Sequence, residues 1–172
     1  MKLTAQKITP CLWFDGQAED AAKFYVSIFK NSKMGQISRY GKEGFEIHGR
    51  KEGTVMVAEF ELDGQKMIGL NGGPQFKFSE AISFQISCED QQEVDYFWSK
   101  LSAGGEEGPC GWLKDKFGLS WQVVPKALIE MLSDSDATKV ARVTKAFLQM
   151  KKFDIAALKR AFEGKELVGA NQ

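Results

Sequence analysis

The chain has 172 residues, 43% hydrophobic and 27% charged, and its 23 basic side chains balance 23 acidic ones. This composition argues against disorder, and the neutral charge supplies no field to gather nucleic acid or an anionic membrane. The length suits one ordinary domain with a substantial core.

Residues 1–10 lack an apolar core of signal-peptide length, and no stretch approaches the roughly 18 apolar residues of a membrane span, so a cytoplasmic protein is expected. Three cysteines, Cys11, Cys88 and Cys110, form an odd set without Cys-x-x-Cys spacing, which argues against a disulfide framework and a zinc site. Cys11 and Cys88 lie in or beside apolar strands and read as small buried hydrophobes. Cys110, between Pro109 and Gly111, is the one expected to meet solvent.

In chain order, residues 8–14 read as a strand, Asp15-Gly16 as a turn and residues 18–29 as a helix. Residues 30–53, rich in Gly, Lys and Glu, read as an irregular strand and an excursion that carries the sole histidine, His48. Residues 54–62 alternate at period two and meet residues 66–70 across Asp63-Gly64, a strong hairpin signal. Asn71-Gly-Gly-Pro-Gln75 then punctuates the chain.

The pattern repeats. A strand over 81–87 and a helix over 91–101 precede Gly104-Gly105, and two further strands flank Asp115-Lys-Phe-Gly118. The helix Asp20–Phe29 parallels Gln92–Leu101, with Phe24 matching Tyr96 and Tyr25 matching Phe97. Residues 8–70 and 81–125 are therefore two copies of one strand-helix-hairpin unit within a domain spanning 1–125, too long for a solenoid repeat. Strands joined by short turns cannot be all parallel. The expected fold class is α+β, two βαβββ modules making a cupped mixed sheet. A helical tail over 126–172 follows, with N-caps in 133–137, an apolar stripe of Val140, Val143, Phe147 and Met150, and Asp154 capping a last helix with Ile155, Leu158 and Phe162. The stripe covers either its own domain or a second subunit.

Alternation assigns the strand faces. Ile82, Phe84 and Ile86, Leu119, Trp121 and Val123, and Met56, Ala58, Phe60 and Leu62 should lie beneath the helices. Ser83, Gln85, Ser87, Ser120, Gln122, Val57, Glu59 and Glu61 take the opposite, concave faces, where a few polar groups among apolar neighbours make the default small-molecule site.

These segments resemble the PhnB-like, or 3-demethylubiquinone 3-methyltransferase-like, family of the vicinal oxygen chelate superfamily, which includes glyoxalases, bleomycin-resistance proteins and extradiol dioxygenases. The resemblance is carried by Thr9–Phe14 with Ala18–Tyr25, Gly69–Pro74, Glu80–Phe84, Glu89–Gln91, Gly104–Glu107 and Cys110–Pro125, and extends through Val143–Gly164. It implies halves of βαβββ form, and a homodimer, which the open sheet edges of each half also favour. Metal-dependent members of that superfamily take ligands from the first and last strand of each half. Carried onto this chain, those places hold Pro10, Ile68, Ala81 and Gln122, or with a one-residue slip Cys11, Gly69 and Ile82. A lone carboxamide does not hold a divalent ion, so no metal and no cofactor are expected.

The favoured function is thus metal-free binding of a small, weakly polar, aromatic molecule by Ser83, Gln85, Ser120 and Gln122, with Phe14 and Trp112 as an aromatic wall and Glu59 beside them. An enzyme remains the alternative, with Glu59 as base or Cys110 as nucleophile, or with the methyl transfer of the family label; a subunit devoted to association is the third reading. Against these stand plainer roles: Glu59 as a solvated strand carboxylate, Trp112 as a packed rim aromatic, Asp115 as organiser of its turn. The run Gly69-Leu-Asn-Gly-Gly precedes Pro, not a helix, so it does not read as a nucleotide-binding turn.

Overall fold

The computed structural model describes residues 6–165. The chain forms two compact units, one ending at Phe78 and the other beginning at Ser79.

The first unit runs β1 (Cys11–Phe14), α1 (Ala18–Ile28), β2 (Lys33–Arg39), the one-turn helix α2 (Phe45–His48), β3 (Val55–Leu62) and β4 (Gln65–Asn71). Its sheet has the order β1-β4-β3-β2, with β1 parallel to β4 and the other pairs antiparallel. Both turn residues between β3 and β4, Asp63 and Gly64, have positive φ (46° and 80°), the requirement of a tight hairpin matching the strand twist. Ala58, Phe60 and Leu62 are buried while Glu59 is exposed, as period-two alternation demands. Helix α1 buries Ala18, Ala21, Ala22, Tyr25 and Ile28, a helical stripe whose alanines permit close approach to the sheet. At Gly69 a Cβ would come within 3.1 Å of the Ala18 methyl, so the glycine is part of that approach.

The second unit repeats the plan with β5 (Phe84–Cys88), α3 (Gln91–Ser102), β6 (Glu106–Glu107), β7 (Trp112–Lys114) and β8 (Ser120–Pro125). Its sheet order, β5-β8-β7-β6 with β5 parallel to β8, reproduces the first strand for strand. The duplicated βαβββ architecture expected from the aromatic pairs is therefore present. Asp90 caps α3 by accepting from the Glu93 amide at 2.9 Å, and Glu93 reciprocates to the Glu89 amide at 2.9 Å, a capping box shifted by one residue.

Helices α4 (Lys126–Leu132), α5 (Ala137–Phe147) and α6 (Ile155–Glu163) follow within the second unit. Val124, Leu128, Met131, Val143, Ala146, Phe153, Leu158 and Ala161 form one buried cluster, and Phe147 and Met150 pack against it. Asp136 and Asp154 cap α5 and α6 through their carboxylates.

Several local expectations shift. β1 starts at Cys11 and not at residue 8, and Cys11 is exposed, because Leu12 and Phe14 take the buried face. β5 starts at Phe84, so Ile82 precedes the strand and is 72% exposed instead of lying under a helix. Residues 30–53 hold the irregular strand expected there, β2, seven residues long with register shifts between Met34 and Ile37 and between Ser38 and Arg39, and also the short helix α2.

Candidate functional site

One face of the second sheet carries two rows of side chains fixed by strand register. Glu106, Lys114 and Ser120 are successive neighbours across β6, β7 and β8, and Trp112, Gln122 and Gln85 are neighbours across β7, β8 and β5. The opposite face holds Leu113, Trp121 and Val123, buried. Trp98 of α3 donates its indole N–H to Oε1 of Glu107 at 2.8 Å.

The turn joining β7 to β8 is organised by Asp115, which is 2% exposed. Its Oδ1 accepts from the amides of Phe117 (2.8 Å) and Leu119 (3.1 Å), and its Oδ2 accepts from Trp121 Nε1 (2.8 Å). The loop before β7 is fixed from the other side. Cys110 and Gly111 have positive φ (54° and 78°), and their amides donate to the carbonyls of Met150 and Lys151, each at 2.7 Å. A Cβ at Gly111 would lie 2.4 Å from the Phe153 ring, so only glycine fits.

These constraints shape a surface cavity of about 380 Å³ walled by Pro109, Trp112, Leu113 and Ser120, with Lys114 and three glutamates, Glu80, Glu106 and Glu107, around it. Lys114 pairs with Glu80 at 2.5 Å, and that hydrogen bond holds the Glu80 carboxyl below the usual carboxylate range and raises the Lys114 ammonium. Ser120 is 1% exposed, and its hydroxyl oxygen is buried without a hydrogen-bond partner among the described residues. A buried hydroxyl left so is costly unless something else satisfies it.

Of the residues expected at a site, Trp112 and Ser120 meet at this cavity. Gln122 donates from Nε2 to Ser83 Oγ at 2.8 Å, and Gln85, its neighbour on β5, is exposed. Phe14 is 3% exposed in the first unit, its ring edge-on to Phe78 at 5.3 Å, which makes it a core residue. Glu59 is exposed beside Ile68. The Cys110 thiol is half-buried and lies 3.8 Å from the Phe147 carbonyl. Residue alternation alone passed over Lys114 and Glu106; the pairing of β6, β7 and β8 places both in the Ser120 row.

The donor set does not fit a divalent metal. Ala81 and Ile82 precede β5, so the strand partner of Gln122 is Gln85, a second neutral amide. The first sheet sets Cys11 beside Ile68. Among the described residues no group of three or more His, Cys, Asp or Glu side chains could hold an ion. His48 is engaged elsewhere: its Nδ1 accepts from the Arg50 amide at 2.9 Å, its Nε2 lies 3.1 Å from the Glu43 carbonyl, and its ring packs on Tyr40. The glycine run also has a structural duty. Trp13 donates to the Gly73 carbonyl at 2.8 Å, and its ring leaves no room for a Cβ on Gly72.

A family model, 3-demethylubiquinone-9 3-methyltransferase, matches residues 6–124, so α4–α6 lie beyond the matched region. Among solved structures, a PhnB protein from Bacillus cereus, provisionally named a 3-demethylubiquinone-9 3-methyltransferase, is 38% identical; the match covers 70% of this chain and 99% of that one, with a TM-score of 0.61. Protein PA1353 from Pseudomonas aeruginosa, 16% identical, shares the fold over 70% of this chain and 98% of its own, with a TM-score of 0.55. No curated protein matches the chain.

Proposed function

We propose a function from one premise: the chain belongs to the 3-demethylubiquinone-9 3-methyltransferase family, PhnB-like, and has a glyoxalase/bleomycin-resistance-like fold. The function is reversible binding of a small molecule with a planar, apolar body. The ligand lies against Trp112 and Pro109, presents a polar group to Ser120, and needs no resident divalent ion. Ser83, Gln85 and Gln122 flank the site on the same face. The observation that carries this reading is the Ser120 hydroxyl, buried and unsatisfied at the wall of an apolar cavity.

No observation in this chain favours methyl transfer or catalysis by Glu59 or Cys110. Association as a homodimer belongs to the same proposal, supported by the edge strands β1 and β2, β5 and β6 that end each sheet. Light scattering of the purified chain tests it; a mass of one chain across micromolar concentrations counts against it.

Thermal melting with 2-naphthol, a planar probe with one hydroxyl, tests the binding site. A ligand confined to the native state raises the melting temperature by mass action. The rise should be present in the native sequence and reduced in Trp112→Ala and Ser120→Ala. An equal rise in all three would overturn the assignment, and one tightly bound divalent ion per chain after chelator-free purification would overturn the metal-free part.

A further inference from the structure

We infer that the cavity selects a cationic ligand, an ammonium attached to an aromatic body, over neutral or anionic molecules of the same shape. The inference rests on the binding reading above and adds the chemical class of the ligand. Glu80, Glu106 and Lys114 bring two carboxylates and one ammonium to the cavity, while the Glu107 carboxylate turns to Trp98 on the other face, so the wall is negative by one formal charge. The ammonium, Lys114, is engaged by Glu80 at 2.5 Å and is poorly placed to receive an anion. Glu106 sits in the row of Lys114 and Ser120.

The two remaining groups suit a cation equally well. The face of an indole ring carries negative electrostatic potential and attracts ammonium groups, most strongly among the aromatic side chains. The Ser120 hydroxyl, 1% exposed and without a hydrogen-bond partner among the described residues, has lone pairs free to accept from an ammonium N–H. A carboxylate ligand would meet the surplus negative charge of Glu106, with Lys114 already engaged by Glu80.

The test compares three probes with one ring system: 1-naphthylmethylamine, 1-naphthalenemethanol and 1-naphthoate, titrated calorimetrically into the full chain at neutral pH. The amine should bind at least about fivefold more tightly than the alcohol. Glu106→Gln, an exposed position, should shrink that preference while leaving the melting temperature unchanged, and added salt should shrink it further. Ser120→Ala should weaken amine and alcohol together. Alcohol or naphthoate binding as tightly as the amine overturns the charge preference and leaves the binding site standing. Failure of all three probes, with no difference between the native chain and Trp112→Ala, overturns the binding reading itself.

Discussion

The indole nitrogen of Trp121 donates a 2.8 Å hydrogen bond to Oδ2 of Asp115, joining a core tryptophan to the turn that shapes the cavity. Three donors depend on this one buried carboxylate: Trp121 and the amides of Phe117 and Leu119. Leaving a buried donor unsatisfied costs about 1–3 kcal/mol, and the three share a site, so Asp115→Ala should cost about 3–5 kcal/mol in urea unfolding. Asp115→Asn keeps one acceptor oxygen and should lose less. A loss below about 0.5 kcal/mol for Asp115→Ala would contradict this role.

Asn71 performs the corresponding service in the first unit. Gln17 offers α1 no side-chain cap; instead Asn71, at the end of β4, accepts from the Ala18 amide at 2.9 Å and donates to the Val55 carbonyl at 3.0 Å. Replacement by Ala removes a helix cap and strands a half-buried carbonyl, a predicted loss of about 2–3 kcal/mol. Asn71→Asp keeps the cap but sets a carboxylate against the Val55 carbonyl, and it should fall between the two. Chemical denaturation of the three proteins checks the order.

The cysteines should differ in reactivity. Burial, aided by the carboxylates of Glu93 and Asp90, pushes the Cys88 thiol up to about 12. Cys11 is exposed, although partial desolvation raises its pKa too. Iodoacetamide at pH 8 should alkylate Cys11 in the native chain and reach Cys88 only on unfolding. The pH dependence follows in sign: as pH rises from 9 to about 12 the unfolded chain gives up the Cys88 proton first, so stability falls across that window and is unaffected below it. Cys88→Ala should flatten that decline.

Phe153 links the helices beyond the family region to the cavity loop. Its ring fills the space beside Gly111, and the adjoining Met150 and Lys151 carbonyls hold the amides of Cys110 and Gly111. Phe153→Ala should cost about 3–5 kcal/mol and speed hydrogen exchange at those two amides more than at the α1 amides. Uniform acceleration along the chain would show that Phe153 acts on global stability alone.

The duplication was legible because it rests on local chemistry: Asp63-Gly64 dictates a hairpin, and both helices carry adjacent aromatics, although burial matches Tyr25 with Trp98 and Phe24 with Phe97, one residue on from the pairing read in the sequence. Strand starts were less so. An apolar residue such as Ile82 reads as strand whether or not a partner strand reaches it, and β8 reaches only as far as Phe84. Ser120 emerged from alternation and Trp112 as an aromatic beside Gly111, but Phe14 could not be told from a wall residue, since a core face and a cavity face both select aromatics. Glu80 escaped notice because β5, α3 and β6 separate it in sequence from Lys114, and only tertiary structure brings the two together.

The central claim, a ligand site at Trp112 and Ser120, is tested most directly by the tryptophan indole resonances of the nitrogen-15-labelled chain titrated with 2-naphthol. The indole N–H groups of Trp13 and Trp121 are tied to Gly73 and Asp115, whereas Trp112 lines the cavity. The account predicts that the Trp112 signal moves saturably while those of Trp13 and Trp121 stay in place. A stationary Trp112 beside a moving Trp13 would place the ligand elsewhere and contradict it.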